Sequence, residues 1–199
     1  MAPTPARVKR DELLAHVLDT LDECGLSGFS MRALASRMGV QAASLYGHVQ
    51  NRQELLVRVS DFICEEAVRG VAGGSWQSGL SELALQLRSV LAAHPGAVAV
   101  VASQPISAPT AGRLAPLLAS LAEQMQCTAV EASFAVQSVY LFTSAHALAQ
   151  HGDPPSEPSR EGAYYDAWFE FALTTFLQGL AAFVDAAPGA RPPPPQIPD

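Results

Sequence analysis

Apolar residues recur at three- and four-residue intervals along most of this 199-residue chain. This spacing places them on one face of a helix. Near the N-terminus the repeat includes Leu14, Val17 and Leu21, and it predicts a first helix that ends at Gly25. The same spacing returns after Trp76 and continues through most of the remaining chain. The pattern therefore predicts an all-α protein.

Two short helices and a longer one are predicted to follow the first. Ser30 is a good N-cap for the second helix, which Gly39 ends. The third is predicted from about Gln41 to His48, and Asn51 opens the fourth with Glu54 in capping-box spacing. Two short helices joined by a tight turn form a helix-turn-helix. The sequence thus predicts an N-terminal three-helix domain of this kind.

Composition divides the chain into four parts. Residues 1–6 are expected to be disordered, and residues 7–70 form the predicted helix-turn-helix domain. A glycine-rich break separates them from a second helical domain at 75–187. Residues 188–199, with four consecutive prolines, are predicted to be a disordered tail.

Charge is distributed unequally between the two predicted domains. The chain carries a net charge of -7. Residues 1–60 hold seven basic and six acidic residues, a net +1, and residues 61–199 hold five basic and thirteen acidic residues, a net -8. Between Leu26 and Ser60 the chain contains four arginines and a single acidic residue, Glu54. This asymmetry suggests two functions and a local positive patch, although a solvated helix face would have the same composition.

The third predicted helix combines small, hydroxyl and aromatic side chains. Leu45 and Val49 are its bulky aliphatic residues and are predicted to hold it against the core. The side chains then left outward are Gln41, Ala42, Ser44 and His48. Small and short polar groups suit a helix in the major groove, and Tyr46, His48 and Arg52 suit phosphate contacts. The alternative is that Tyr46 and His48 pack against the first helix.

The most specific pattern in the chain is Gly39-Val40-x-x-x-Ser44-Leu45-Tyr46-x-His48-Val49-x-Asn51-Arg52-x-x-Leu55-Leu56, after Gly25-Leu26-x-Gly28-Phe29-Ser30-Met31-Arg32-x-Leu34-Ala35. With these motifs, the segment from Arg7 to Glu66 resembles the tetracycline-repressor (TetR) family of bacterial transcription regulators. Gly47 departs from the pattern, because the most similar members carry a bulky aromatic residue there. Glycine loosens a short helix by about 1 kcal/mol relative to alanine.

The resemblance implies a set of DNA-contacting residues: Ser30, Arg32, Gln41, Ala42, Ser44, Tyr46, His48, Asn51 and Arg52. By this resemblance, Arg32 reads a base or meets a phosphate from the start of the second helix. Gln41, Ala42 and Ser44 then face bases. Tyr46, His48 and Arg52 then contact the DNA backbone.

Two long helices near the C-terminus are predicted to mediate dimerisation. Thr128 and Glu131 form a capping box that opens a helix to about Ala149, and a last helix spans about 162–186. Small residues on the first and Gly179 on the second permit a close crossing about a two-fold axis. TetR-family regulators dimerise through their last two long helices, so the resemblance also implies a homodimer. The alternative is that both helices are buried within one subunit.

The middle of the chain resembles the effector domain of tetracycline repressors more faintly, through Ser75-Trp76-Gln77, His94-x-Gly96 and Ser103-Gln104-Pro105. In that subgroup, a histidine five residues before this proline coordinates a drug-bound magnesium ion. Val100 occupies the position here, so a tetracycline–magnesium effector is not expected, and no metal or cofactor is predicted. The residues that suit an apolar ligand are Trp76, Val100, Gln104, Leu117, Phe134, Gln137 and Tyr140. The alternative is that these are core residues.

Cysteine usage and hydropathy predict a cytoplasmic protein. Cys24, Cys64 and Cys127 lack CxxC spacing and are expected to be buried thiols, with a metal site or redox switch as the alternative. No apolar stretch is expected to cross a bilayer, and the N-terminus lacks the apolar core of a secretion signal.

These features together predict a dimeric transcription regulator. We expect a repressor that a small, largely apolar ligand releases from a palindromic DNA operator. One alternative is a helical adaptor whose DNA contacts have decayed, which Gly47 and the modest charge permit. An enzyme is the other alternative, although the five histidines lack a suitably spaced nucleophile, metal partner or phosphate loop.

Overall fold

The computed structural model describes residues 10–71 and 74–186, which are helical with short connections. The helices are α1 (Arg10–Gly28), α2 (Met31–Met38), α3 (Ala42–Leu45), α4 (Arg52–Arg69), α5 (Trp76–Ala93), α6 (Val98–Ser103), α7 (Ala108–Arg113), α8 (Ala115–Met125), α9 (Ala129–His151) and α10 (Gly162–Asp185). A 3-10 turn, Pro95–Ala97, joins α5 to α6. The all-α prediction is confirmed. The predicted disordered ends, 1–6 and 188–199, lie outside the described residues.

Two glycines with positive φ shape the first helices. Gly25 has a φ of +67° and interrupts α1 at the predicted position, before a last turn that reaches Gly28. Gly39 has a φ of +65° and ends α2. Such φ values suit glycine because it has no Cβ. Ser30 caps α2 as predicted, since its hydroxyl accepts a hydrogen bond from the Ala33 N–H at 3.1 Å.

The third helix is shorter than predicted and ends at Leu45 instead of His48. Beyond it the chain tightens into a turn, where the Gly47 N–H donates to the Ser44 carbonyl at 3.3 Å and the His48 N–H to the Leu45 carbonyl at 2.9 Å. Glycine's low helix propensity favours this ending. Leu45 and Val49 are 1% and 4% exposed, so they do hold this segment against the core.

α4 begins at the predicted cap, and its first turn fixes the chain before it. The Asn51 side chain accepts a hydrogen bond from the Glu54 N–H at 2.9 Å. The Glu54 carboxylate accepts one from the Gln50 N–H at 2.7 Å, one residue earlier than a regular capping box requires. The capping prediction is therefore correct for Asn51 and shifted by one residue for Glu54.

The two parts of the chain share one apolar core, and α1 packs directly on the turn between α5 and α6. A Cβ at Gly96 would lie 2.1 Å from the Leu21 carbonyl carbon, so only glycine fits this approach. The Gly96 N–H also donates to the Asp22 carboxylate at 2.7 Å. In the second part, α5, α6 and α8 pack against α9, which opens with the predicted Thr128–Glu131 capping box.

α10 corrects one prediction. By length and composition this helix could cross a membrane, with a mean hydropathy of 1.4, so the expectation that no stretch could do so was wrong. Only 11% of its apolar window is buried within the protomer. Tyr164, Trp168 and Phe171 remain 48%, 41% and 73% exposed. Burial within one subunit therefore does not account for the apolar character of α10.

The cysteines are less buried than expected. Cys64 is buried, whereas Cys24 and Cys127 are half-buried, because Cys24 lies near the break in α1 and Cys127 just after α8. None of the three forms a disulfide bond among the described residues. Among the described residues, no group of three or more His, Cys, Asp or Glu side chains could hold a metal ion.

Candidate nucleic-acid interface and cavity

Most side chains predicted to contact DNA are exposed at the α2–α3 end. The exposed members are Arg32, Gln41, Ser44, Tyr46, His48 and Asn51. Tyr46 is 54% exposed, so packing against α1 does not bury it. Within the described part of the chain, the side chains of Arg32, Tyr46 and His48 have no hydrogen-bond or ion-pair partner. These groups are available to a ligand in solution.

Ala42 does not face outward as predicted. It is half-buried and packs against the core, whereas its neighbour Ala43 is exposed. Ala42 lies three positions before the buried Leu45 and therefore shares its helix face. Sequence reasoning missed Ala43, although the spacing to Leu45 was a signal that could have found it.

Ser30 and Asn51 already have structural roles, since both accept hydrogen bonds from the backbone as N-caps. The Ser30 hydroxyl proton and the Asn51 amide N–H groups remain able to donate. The turn between α3 and α4 is fixed as well, because Arg58 donates to the His48 carbonyl at 3.3 Å and pairs with Glu54 at 2.6 Å. The side chains at this end are thus presented by a well-anchored backbone.

Arg52 has a role that the sequence did not predict. Its guanidinium donates to the Phe29 carbonyl at 3.0 Å and to the Leu26 carbonyl at 2.9 Å, and it lies 5.6 Å from the centre of the Phe29 ring. Arg52 therefore joins the start of α4 to the segment between α1 and α2. A backbone acceptor more than twenty residues away leaves no signal in the sequence.

The positive patch is smaller than its composition indicated. Arg37 pairs with Asp19 at 2.9 Å and also with Glu23, both on α1. With Arg52 and Arg58 also engaged, Arg32 is the one arginine between residues 26 and 60 that has no partner among the described residues. The prediction counted charges along the sequence and missed the carboxylates that α1 supplies through the fold.

A cavity of about 480 Å³ lies among α4, α5, α6, α8 and α9, a volume typical of small-molecule sites. Most of its lining is apolar. Its lining side chains that carry polar atoms are Cys64, Gln104, Ser133, Gln137, Tyr140 and Ser144. The structure thus provides a partly open, largely apolar space next to α4.

Four of the seven predicted ligand residues line this cavity: Gln104, Leu117, Gln137 and Tyr140. Trp76 is 6% exposed and packs into the core at the start of α5, so it does not line this cavity. Val100 and Phe134 do not line the cavity either, whereas their neighbours Val101 and Ser133 do. One residue is a rotation of about 100° on a helix, so Val100 points into the core and Phe134 outward.

Two ionisable groups in the lining are neutral donors. Burial, and to a smaller extent Asp61 and Glu65, raises the pKa of the Cys64 thiol to about 11. Burial also raises the pKa of Tyr140, with smaller contributions from Cys64 and Asp61. The Tyr140 hydroxyl is shielded from water and has no hydrogen-bond partner in the described structure.

The cavity wall is linked to α4 by side-chain contacts. The Gln104 side chain accepts a hydrogen bond from Gln53, and its carbonyl accepts one from the Ser60 hydroxyl at 3.3 Å. Beyond α6, the Ser107 N–H donates to Asp61 at 2.8 Å. A change in the shape of the cavity would therefore reach α4 directly.

The fold and these two sites define a class: a helix-turn-helix DNA-binding protein with a second, cavity-bearing helical domain. The tetracyclin repressor-like C-terminal domain model matches residues 71–167. The Escherichia coli tetracycline repressor protein class E is 30% identical over 206 aligned residues, which cover 90% of this chain and 94% of that protein. An HTH-type transcriptional regulator of Saccharopolyspora erythraea is 32% identical over 109 residues, and the match spans 54% of this chain and 46% of that regulator.

A solved structure agrees with these relatives. A possible TetR family transcriptional regulator from Streptomyces coelicolor A3(2) superposes with a TM-score of 0.72 at 28% identity, covering 87% of this chain and 99% of that one. The chain therefore belongs to the TetR family, and it is a DNA-binding transcription regulator.

The cavity does not fit a resident magnesium ion. Magnesium prefers oxygen ligands, particularly carboxylates. The described lining contains no aspartate, glutamate or histidine.

Proposed function

We propose that the protein is a homodimeric repressor that binds a palindromic operator and that a small, largely apolar molecule releases from it without magnesium. The observation that carries this proposal is the position of α4. Asn51 and Arg52 lie at its DNA-side start, and Cys64 and Val68 line the cavity. The two regions are about 18 Å apart on one helix, at 1.5 Å per residue. If an effector displaces the cavity end of α4, the helix moves as a nearly rigid rod, and its start near Asn51 and Arg52 moves with it.

The DNA contacts we propose follow the exposed groups. Gln41, Ala43 and Ser44 approach base edges, and Arg32 reads a base from the start of α2. The backbone contacts come from Tyr46 and His48, together with the Ser30 and Asn51 caps. Arg52 supports the interface from behind through its two carbonyl contacts.

An uncovered apolar face supports the homodimer. The exposed large apolar side chains of α9 and α10 are Val130, Phe134, Leu141, Tyr164, Trp168 and Phe171. Soluble proteins rarely leave such a face in water, and a two-fold axis would cover it with its own copy. A dimer would also present two α3 segments to half-sites one helical turn apart, roughly 34–36 Å.

Release requires that the effector bind one dimer arrangement more tightly than the other. A shift of the population from 1:99 to 99:1 needs about 5.5 kcal/mol of such preference. The lining supplies apolar surface and a few hydrogen-bonding groups, so we propose that burial of an apolar molecule provides this energy.

Release is tested with an operator duplex selected from random DNA and labelled for fluorescence anisotropy. Neutral aromatic compounds are titrated into the complex with and without a chelator. We expect release that the chelator leaves unchanged. Release that disappears with the chelator would contradict the magnesium-free effector, and binding without any change in DNA affinity would contradict the repressor-release model.

The dimer is tested by light scattering with a matched pair of variants. Phe171→Glu introduces a charge into the exposed face of α10, and we expect it to yield monomers at micromolar concentration. Leu85→Glu makes the same kind of change on α5, at a leucine that is 52% exposed, and should leave the dimer intact. A monomeric wild type would contradict the proposal.

One alternative has a specific observation in its favour. Because Arg32 is the one unpaired arginine in the described 26–60 segment, a helical adaptor with decayed DNA binding is the second candidate. Dimerisation without sequence-selective DNA binding would support it. The relatives are transcription regulators, which disfavours the enzyme alternative.

A further inference from the structure

The cavity lining has a distinctive distribution of polar groups. Its described residues include no side chain with a formal charge at neutral pH, since Cys64 is protonated. The polar atoms concentrate on α9, which contributes Ser133, Gln137, Tyr140 and Ser144. The other walls are apolar apart from Cys64 and Gln104. A ligand in this space meets one polar wall opposite apolar ones.

Carboxylates stand immediately behind the α4 wall. Asp61 and Glu65 flank Cys64 in sequence, and both raise the pKa of its thiol, although burial has the larger effect. Arg113 lowers the same pKa but contributes less than either carboxylate. Glu65 is also paired with Arg113, and the lining offers an anion no cation, so a negatively charged ligand would lose its hydration without gaining a charged partner.

Three of the six polar side chains in the lining are already engaged. The Ser144 hydroxyl donates to the Tyr140 carbonyl at 2.8 Å, and the Ser133 hydroxyl donates to the Val130 carbonyl at 2.7 Å. The Gln104 oxygen accepts from Gln53.

Two groups of the lining remain largely unused: the buried Tyr140 hydroxyl, which has no partner in the described structure, and the amide of Gln137. Its one recorded contact is a long one, 3.5 Å, from its nitrogen to the Ser133 hydroxyl. Its oxygen accepts no recorded hydrogen bond among the described residues. Gln137 and Leu141 line the cavity and are both exposed in the single protomer, so they mark its mouth, which borders the α9 face that the proposed dimer covers.

We propose that the effector is an uncharged, mostly apolar molecule whose hydrogen-bonding end is held by the Gln137 amide at the mouth, and that the cavity rejects anions. This inference rests on the proposed role of the cavity as the effector site. In this proposal Gln137 is the residue that determines which effectors bind. The apolar body of the ligand lies inward, against the α5, α6 and α8 walls.

The test uses two probes that differ mainly in charge, fluorene-9-carboxamide and fluorene-9-carboxylate. Each is titrated into the full-length protein at pH 7.5 by calorimetry, without DNA. We expect the wild type to bind the carboxamide at least about tenfold more tightly than the carboxylate. Gln137→Leu should weaken carboxamide binding about fivefold. Gln137→Arg should strengthen carboxylate binding about tenfold by adding a cation at the mouth.

Gln124→Arg is the matched control. Gln124 on α8 has the same side-chain contact, to a serine four residues earlier at 3.3 Å, but does not line the cavity. Its substitution should change neither affinity. Equal binding of both probes to the wild type would overturn the inference. The same holds for equal effects of Gln137→Arg and Gln124→Arg, or for no binding of either probe up to its solubility limit.

Adding the operator duplex distinguishes the two proposals. If the probes bind with the expected preference but DNA stays bound, the charge selectivity stands and the release model fails. If an anionic compound releases DNA by binding this cavity, the release model stands and the charge selectivity fails.

Discussion

The α2–α3 end, which we propose reads DNA, and the cavity both hold unused hydrogen-bonding groups, but in opposite settings. Arg32, Tyr46 and His48 are exposed, so water can satisfy their side chains. The Tyr140 hydroxyl is shielded from water and has no partner in the described structure. A shielded polar group without a partner costs about 1–3 kcal/mol, whereas an exposed one costs little. The first region is therefore stable as it stands, and the second favours any rearrangement that gives Tyr140 a partner.

The backbone of the two regions is also held in place by different kinds of contact. Side-chain caps and arginine–carbonyl contacts fix the backbone of the α2–α4 segment. The cavity walls consist mainly of apolar side chains around an open space of about 480 Å³. This difference suggests that an effector changes the cavity first and that α4 carries the change to a preformed DNA-reading end.

The largest effect is expected where α1 packs against the Pro95–Ala97 turn, which joins the two parts of the chain. Gly96→Ala would push a Cβ to 2.1 Å from the Leu21 carbonyl carbon and 2.3 Å from the Asp22 nitrogen, both backbone atoms. We expect the free energy of unfolding to fall by about 3 kcal/mol, at the upper end of overpacking costs. Urea denaturation followed by circular dichroism measures the change at fixed protein concentration. Gly112→Ala, which meets nothing within 4 Å, is the control and should be neutral or slightly stabilising. Equal stability of the two variants would show that α1 and the Gly96 turn are not closely packed.

Two tyrosine-to-phenylalanine variants test the free-energy cost that we assign to the unpartnered Tyr140 hydroxyl. The Tyr165 hydroxyl contacts the Ser159 hydroxyl at 3.2 Å and the Ala149 carbonyl at 3.5 Å. Tyr165→Phe should therefore lower the free energy of unfolding by about 1 kcal/mol. Tyr140→Phe removes a hydroxyl that has no partner, so it should be neutral or stabilising. The same urea titration compares them, and a greater loss for Tyr140→Phe would mean that its hydroxyl has a partner after all.

The smallest effect is a dependence of stability on pH outside both regions. Burial, and secondarily Arg88, holds the pKa of His146 below its ordinary value of 6.5. The unfolded chain then binds the proton more tightly, so this stability is present above pH 6.5 and is lost as the pH falls below it. The pKa of His151 shifts in the same direction through burial and Arg88. Unfolding measured at pH 7.5 and 5.5 should show a smaller loss in His146→Gln than in the wild type; an equal or larger loss would contradict the assignment.

The helix-turn-helix was predictable because its signals are local. Ser30, Gly39 and Asn51 act at their own positions, and the burial of Leu45 and Val49 follows from spacing on one short segment. The errors at this end have a different origin. The carbonyl partners of Arg52 and the α1 carboxylates around Arg37 come from residues distant in sequence.

The cavity was harder to predict because helical periodicity does not say which apolar face lines a space and which fills the core. Val100 and Val101 are chemically identical, and only the packing of α6 sends one into the core and the other to the cavity. On α9, Ser133 and Phe134 reverse the order that hydrophobicity alone suggests.

The central claim is that the exposed α2–α3 end reads a DNA sequence, and selection of bound duplexes from a random pool tests it most directly. We expect the wild type to enrich an inverted repeat whose half-site centres lie one helical turn apart, roughly 34–36 Å. Arg32→Ala should relax the preference at one base position in each half-site, by about 1–3 kcal/mol. Arg69→Ala, which removes the same charge at the far end of α4, should leave the preference unchanged. No enriched sequence from the wild type, or the same preference in Arg32→Ala, would contradict the account.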